Sequence, residues 1–199
     1  MHDPYRYPDA SVFINRFDIR NADELARIER QLTYTKLGLL SQQVIGRFDV
    51  AHLKRIHFEL FGELYSWAGQ FRTVDIAKEH TLFCRVNFLE AEVTRLFPHS
   101  RLGTIRSIAH ADSLAQLAGE VLTDLNMLHP FREGNGRTQR EFVRQLACYH
   151  GFSLDYAQMD AAAYMAASVS DQAEEMARVL RHAIPQAEPS RALRDQFHE

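Results

Sequence analysis

The chain has 199 residues, 46% of them hydrophobic and 25% charged, which is enough for one globular domain that folds without disulfide bonds. Two cysteines exclude a disulfide scaffold, no apolar run reaches the roughly 18 residues of a membrane span, and no signal peptide is visible. The balance of 23 basic and 26 acidic residues excludes nonspecific nucleic-acid binding, so we expect a cytoplasmic protein with no nucleic-acid or membrane partner.

Most of the predicted elements are helices, each preceded by a capping residue and followed by an apolar repeat. In chain order, the predicted N-caps are Asn21, Asp49, Asn87, Thr104 and, for the last helix, Ser170 or Asp171. The third helix should end before Pro98, and the fourth should carry Ile108 and end at Leu128. A fifth helix is predicted over residues 137–149, with Gly151 just beyond its end.

Residues 71–86 interrupt the helical pattern. Two β-rich stretches, 72–76 and 81–86, flank a polar tip and predict a β-hairpin. Because a two-stranded hairpin is not stable alone, it must pack on the helices. Its free edge could pair with an extended peptide.

The segment 129–140, His-Pro-Phe-Arg-Glu-Gly-Asn-Gly-Arg-Thr-Gln-Arg, joins two predicted helices. Pro130 disfavours helix at His129, and Gly134 and Gly136 allow backbone conformations and close approaches that side chains forbid. The free N–H groups and the dipole at the start of the next helix favour an anion. The segment therefore predicts a phosphate site, while a plain helix–turn–helix connection with an exposed basic start accounts for the same features.

Four side chains of this segment define the expected chemistry. Arg137 and Arg140 lie on one face of the first helical turn, where the helix dipole disfavours cations unless a polyphosphate is present. Glu133 would repel that phosphate unless Mg²⁺ bridged the two. His129, whose imidazole titrates near neutral pH, is the expected general base. The lysine of a P-loop and the third small residue of a dinucleotide fingerprint are both missing.

As a whole, the segment resembles the signature of the Fic family, His-Pro-Phe-x-Asp/Glu-Gly-Asn-Gly-Arg-x-x-Arg, at every defining position. Residues 60–72 are similar to the family's approach to its flap hairpin, and residues 3–8 are similar to the start of bacterial Fic toxins that act with a separate antitoxin. The resemblance implies a compact, all-α Fic domain over residues 1–184, with one short β-hairpin flap at about 71–86 over the active site. A polar, frayed C-terminal tail is expected at 185–199.

The activity that the resemblance implies is protein adenylylation, the transfer of AMP from ATP to a hydroxyl of a target protein. Carried over by position, His129 deprotonates that hydroxyl, Glu133 holds Mg²⁺, and Phe131 points into the core. The residues implied to bind the ATP phosphates are Gly134, Asn135, Gly136, Arg137 and Arg140, with Arg140 at the γ end. The flap residues expected to contact target or nucleotide are Ile76, Lys78 and Phe83.

Two further comparisons with the family concern chemistry and regulation. Gly136 stands where Doc-type phosphotransferases have lysine, which favours AMP transfer, although the motif alone leaves the phosphocholine-transferring branch open. The family's inhibitory helix carries Ser/Thr-x-x-x-Glu-Gly/Asn, but the nearest match, 170–174, is followed by Glu175 and is better explained as a helix start. We therefore expect a toxin that is restrained by a small antitoxin, which supplies a glutamate to Arg140.

By likeness to toxins of this group, DNA gyrase and topoisomerase IV subunits are the expected targets. Two alternatives stay open at this point. One is a nucleotide-binding interaction module with little catalysis, and the other is a phosphotransferase built on the Fic fold.

Overall fold

Helices make up most of the described chain, which comprises residues 3–78, 81–97 and 108–197 of a computed structural model. In chain order the elements are α1 (Ala22–Leu40), α2 (Val50–Phe61), β1 (Ala77–Lys78), β2 (Thr81–Leu82), α3 (Val86–Leu96), α4 (Ala111–Leu128), α5 (Asn135–Tyr149), a 3₁₀ turn (Tyr156–Gln158), α6 (Ala161–Ser170), α7 (Ala173–His182) and α8 (Arg191–Gln196). None of the described helices is both long enough and apolar enough to cross a bilayer. The prediction of an all-α fold with one short hairpin is confirmed.

The first two helices begin at their predicted caps. The Asn21 side chain accepts a hydrogen bond from Glu24 N at 2.9 Å, and the Asp49 side chain accepts one from His52 N at 2.8 Å. Each side-chain oxygen satisfies an N–H group that has no partner within its helix.

Helix α4 lies at the centre of the fold. It packs most extensively against α7 and also against α5, which in turn packs against α2. Gly119 of α4 permits the close approach of α7, because a Cβ there would lie 2.6 Å from the carbonyl oxygen of Ala173. Apolar side chains from all four helices fill the core, including Leu53, Ile56, Leu114, Leu122, Phe142 and Leu180.

Helix α3 begins two residues earlier than predicted, and its cap comes from elsewhere in the chain. The Asp75 side chain accepts a hydrogen bond from Val86 N at 2.7 Å, so the carboxylate of a residue beside the hairpin satisfies the first turn. Asn87, the predicted cap, lies inside the helix. Pro98, the predicted end, is outside the described residues.

The starts of α4 and α7 also differ from prediction. Ile108 precedes α4 instead of lying within it, and Thr104 is outside the described residues. Ser170 ends α6, and Asp171 follows in a left-handed conformation with φ of 53°. Neither residue caps α7, because this tight connection separates the two helices.

The hairpin is shorter than predicted. Its strands are antiparallel and pair two residues each, Ala77 with Leu82 and Lys78 with Thr81. The predicted strands, 72–76 and 81–86, do not extend the ladder. Instead, the carbonyl groups of Val74 and Cys84 accept hydrogen bonds from the Arg72 side chain.

The segment after residue 184 packs on the domain over its described part, so the prediction of a frayed tail is wrong. Ala111 N donates to Ala187 O at 2.9 Å, and Ser190 N donates to Gly151 O at 2.7 Å. The Ser190 side chain also accepts from Leu193 N and caps α8.

Candidate active site

The loop between α4 and α5 holds its shape through two left-handed residues. His129 ends α4 with φ of 45°, and Gly134 precedes α5 with φ of 79°. A Cβ at Gly134 would lie 2.3 Å from the ring of Phe61, so only glycine fits there. Helix α5 starts at Asn135, two residues earlier than predicted, and Gly151 follows it with φ of 85°, as expected for the residue beyond a helix end.

Asn135 closes this loop with its side chain. Its Oδ1 accepts from Phe131 N at 2.8 Å, and its Nδ2 donates to Phe131 O at 2.7 Å. Phe131 is only 1% exposed, which confirms that it points into the core. The side chain of Asn135 is thus committed to the loop, and only its backbone N–H remains to meet a phosphate.

His129 is oriented by two neighbours. Its Nδ1 lies 3.2 Å from Asn126 O, and since a carbonyl oxygen only accepts, Nδ1 carries the proton. The Phe83 ring stacks on the imidazole with centroids 3.9 Å apart. In the neutral ring this tautomer places the basic lone pair on Nε2, as a general base requires.

Glu133 lies between the histidine and the start of α5. Its Oε1 accepts from Gly134 N at 2.9 Å and lies 3.6 Å from Arg137 Nη2, while the side chain stays 43% exposed. The described residues hold no cluster of three or more His, Cys, Asp or Glu side chains. One carboxylate beside a phosphate site nevertheless suits Mg²⁺, which takes one or two carboxylates plus phosphate oxygens and waters.

Arg137 forms an ion pair with a residue of α1. Its Nη2 donates to Glu29 Oε1 at 2.6 Å, and its guanidinium lies 4.7 Å from the centre of the Phe61 ring. The other oxygen of Glu29 accepts from the Tyr65 hydroxyl at 2.5 Å. A hydroxyl buried beside this carboxylate loses its proton reluctantly, so desolvation and Glu29 both raise the pKa of Tyr65.

Arg140 has a different environment. Its guanidinium lies 5.8 Å from the centre of the Tyr164 ring, and its backbone carbonyl accepts from the Tyr156 hydroxyl at 2.8 Å. No carboxylate of the described chain lies within ion-pair distance of it. Gly136 stands next to it, since a Cβ at that position would lie 3.3 Å from Arg140 Nη1.

The three flap residues lie in different environments. Ile76 is half-buried, and its carbonyl accepts from Phe83 N at 3.4 Å. Lys78 belongs to β1, and its side chain is outside the described part of the chain. Phe83 is 8% exposed and packs on His129. Contact of the three flap residues with a target or nucleotide stays a prediction.

His57 is a site residue that the sequence pattern did not indicate. It is fully buried in α2, where Nδ1 accepts from Gly69 N at 2.8 Å and Nε2 donates to Glu133 O at 3.0 Å. Its ring stacks on Phe131 with centroids 3.9 Å apart. Burial lowers the pKa of His57 from 6.5 to about 4, so the neutral ring joins the segment before the flap to the motif loop.

Arg72 and Glu29 are two further residues that no motif indicated. Each lies more than fifty positions from the loop that it contacts, and Arg72 donates to the carbonyl of His129 at 2.9 Å. Only the stretch 60–72, which resembles the family, signalled that this part of the chain belongs to the site.

The mostly helical domain and the glycine-containing loop that leads into α5 agree with the Fic-type arrangement expected from the sequence. A profile of the Fic/DOC family matches residues 47–147, which is half of the chain. The chain belongs to the Fic/DOC family.

Three similar proteins illustrate this membership. The chain is 39% identical over 157 residues to protein adenylyltransferase VbhT of Bartonella schoenbuchensis, covering 78% of this chain and 33% of VbhT. It is 33% identical over 172 residues to "Probable protein adenylyltransferase y4lH" of Sinorhizobium fredii, covering 85% and 88%. The N-terminal Fic domain of a VirB-translocated Bep effector from Bartonella quintana, solved with bound ADP, has the same fold with a TM-score of 0.85, 24% identity and coverage of 95% and 96%.

The chain therefore spans one third of the length of VbhT and most of the length of y4lH.

Proposed function

We propose that the chain is a protein adenylyltransferase that transfers AMP from ATP to a hydroxyl of a target protein. The names of its relatives support this activity. The observation that carries the proposal is the intact loop from His129 to Arg140, in which His129 Nδ1 bonds to Asn126 O and Gly134 leads into the first turn of α5.

In this mechanism the chain supplies position, charge and a base. The N–H groups of the first turn of α5 and the cations Arg137 and Arg140 would hold the polyphosphate. His129 Nε2 would take the proton of the attacking hydroxyl, whose oxygen bonds to the α-phosphorus as the bond to the β-phosphate bridging oxygen breaks and pyrophosphate leaves.

Glu133 would hold Mg²⁺, which when bound neutralises phosphate charge. Arg137 would have to bind Glu29 and the phosphates at the same time. Its guanidinium has five N–H donors, and Glu29 takes one of them at 2.6 Å, so a second ligand can be accommodated.

We further propose that a small antitoxin supplies a glutamate to Arg140, which has no carboxylate partner in the described chain. A carboxylate there would exclude the γ-phosphate by occupying its cation. DNA gyrase and topoisomerase IV subunits are the proposed targets, by likeness of the chain's start to toxins of this kind. The use of ATP and two unpaired thiols support action in the cytoplasm.

The test is a labelling experiment. The full chain is incubated with Mg²⁺ and purified gyrase or topoisomerase IV, using ATP labelled at either the α- or the γ-phosphate. We expect α-label on the target, loss of at least about 100-fold of the rate in His129→Ala, and no change in the exposed control His182→Ala.

Other outcomes would separate the alternatives. Label from the γ-phosphate alone would identify a phosphotransferase. ATP binding without label from either position would identify an interaction module. Label on other proteins of a bacterial lysate, with none on the two topoisomerases, would keep the activity and reject the proposed targets.

A further inference from the structure

Arg72 is the most heavily bonded side chain beside the motif loop. It is fully buried, and among the described residues its guanidinium donates to backbone carbonyls on two sides. Towards the motif loop, Nε donates to His129 O at 2.9 Å and Nη2 to Leu128 O at 3.2 Å. Towards the hairpin, Nη1 donates to Val74 O at 2.8 Å and Nη2 to Cys84 O.

The environment of this cation is unusual for a structural arginine. The nearest carboxylate, Asp75, lies 4.0 Å from Nη1 and is 53% exposed, and its Oδ1 accepts from the start of α3. Burial lowers the pKa of Arg72 from its usual value, although the guanidinium stays charged. A buried cation that is held mainly by carbonyl dipoles is costly, so only a fixed arrangement of those dipoles keeps it in place.

The motif loop and the hairpin, which Arg72 joins, together surround His129. The backbone of Arg72 donates from its N–H to Pro130 O at 2.9 Å, and Cys84 N donates to Met127 O at 3.1 Å. Between these bonds, Phe83 stacks on His129, whose backbone is left-handed. A left-handed non-glycine residue is strained and persists only where its surroundings fix it.

We propose that Arg72 is a positioning residue that fixes His129 to the hairpin, so that the general base and the docking hairpin move as one body. The inference rests on the proposed function and deepens it. Arg72 acts through the His129 carbonyl and through the hairpin ends that hold Phe83 against the imidazole.

Lysine cannot reproduce this arrangement. The planar guanidinium presents five N–H donors in a fixed fork, and four carbonyls from two segments use them. An ammonium has three donors and no fork, so Arg72→Lys retains the charge and loses the link between the two segments.

Arg144 provides a matched control. It is a partly buried arginine of α5 that also donates to backbone carbonyls, those of Leu40, Ser41 and Gln43 at the end of α1, and it pairs in addition with Glu141. Arg144→Lys should therefore lose stability in the same way without altering the histidine. The comparison separates positioning from a general loss of stability.

The experiment measures transfer rate, ATP affinity and hydrogen exchange for the full chain and both variants. For Arg72→Lys we expect the rate of AMP transfer at saturating ATP to fall about 10- to 100-fold, with the dissociation constant for ATP changed by less than about threefold. The amides of Phe83 and Cys84 should exchange faster. Arg144→Lys should keep the wild-type rate and the wild-type exchange of these two amides.

Equal losses of rate in the two variants, or an unchanged rate and exchange in Arg72→Lys, would overturn the proposal. If Arg72→Lys does not fold, Arg72→Gln removes the buried charge, retains one donor group and takes its place. The exchange measurement needs no transfer activity. An inactive wild-type chain would thus contradict the proposed function, while the exchange of Phe83 and Cys84 would still decide the role of Arg72.

Discussion

At the scale of single residues, two left-handed backbone positions bracket the motif loop. His129 adopts φ of 45° despite its side chain, and Gly134 adopts φ of 79° directly against the ring of Phe61. The first position carries the proposed general base and is held by its neighbours. The second position, Gly134, has no room for a side chain, so a substitution there tests the loop conformation more sensitively than one at His129.

Gly134→Ala should therefore destabilise the fold by at least about 2 kcal/mol, because the new methyl group meets a buried ring and the backbone is strained. Gly38→Ala is the matched control. Gly38 lies in α1 with nothing within 4 Å of an added Cβ, so the substitution should stabilise the chain by about 0.5–1 kcal/mol. Urea unfolding measures the change in the free energy of unfolding for both variants. Changes of the same sign in the two variants would contradict the prediction.

The turn and the helix start of the loop could be predicted from sequence, whereas the side chains that support the loop could not. Residues 129–140 are contiguous, so their order alone indicates a turn, a helix start and a phosphate site. His57 and Arg72 reach this loop from 76 and 57 positions away. Their roles depend on tertiary packing, which no local spacing encodes. The bonds of the Asn135 side chain to the backbone of Phe131 are likewise not indicated by local spacing.

At the scale of elements, helix starts were predicted where the cap is local and missed where it is not. Asn21 and Asp49 cap the helices that directly follow them. Asp75 caps α3 from eleven positions earlier, after the chain has turned through the hairpin. A capping oxygen from a residue distant in the sequence cannot be recognised from the residues next to the helix.

Helices α4 and α7 approach each other closely at Gly119. A Cβ there would meet the backbone of Ala173 at 2.6 Å and of Ala177 at 2.8 Å, and backbone atoms cannot move aside as a side chain can. Gly119→Ala should thus cost about 1–3 kcal/mol, although alanine is the better helix former by about 1 kcal/mol. The free energy of unfolding checks this, and a stabilised variant would show that α7 is less tightly packed than described.

At the scale of the whole molecule, stability should depend on pH through buried histidines. His52 is 2% exposed, with Nε2 2.9 Å from Gln145 Oε1 and Nδ1 accepting from Phe48 N. Burial lowers its pKa from 6.5 to about 4. The unfolded chain therefore binds a proton more readily between these pH values. The contribution of neutral His52 to the free energy of unfolding is fully present above pH 6.5 and is lost as the pH falls toward 4.

The expected loss for His52 alone is about 3 kcal/mol at the acid end of this range. His52→Asn should be less stable than the wild type at pH 7.5, and the difference should shrink by about 2–3 kcal/mol at pH 4.5 because the variant has no proton to take up there. Urea unfolding at both pH values measures it, with the exposed His182→Asn as control. A difference that stays constant with pH would contradict the assignment.

The chain's single tryptophan sits where three segments meet. Trp67 stacks on Tyr65 with centroids 4.5 Å apart, and the rings of Tyr5 and His57 lie 5.4 Å and 6.0 Å away. Tyr65 bonds to Glu29, the partner of Arg137, and His57 bonds to the motif loop. The protein thus carries its own fluorophore beside Tyr65 and His57, which connect to Glu29 and to the motif loop. Emission from one indole can follow nucleotide or partner binding in solution, without a dye or an added label.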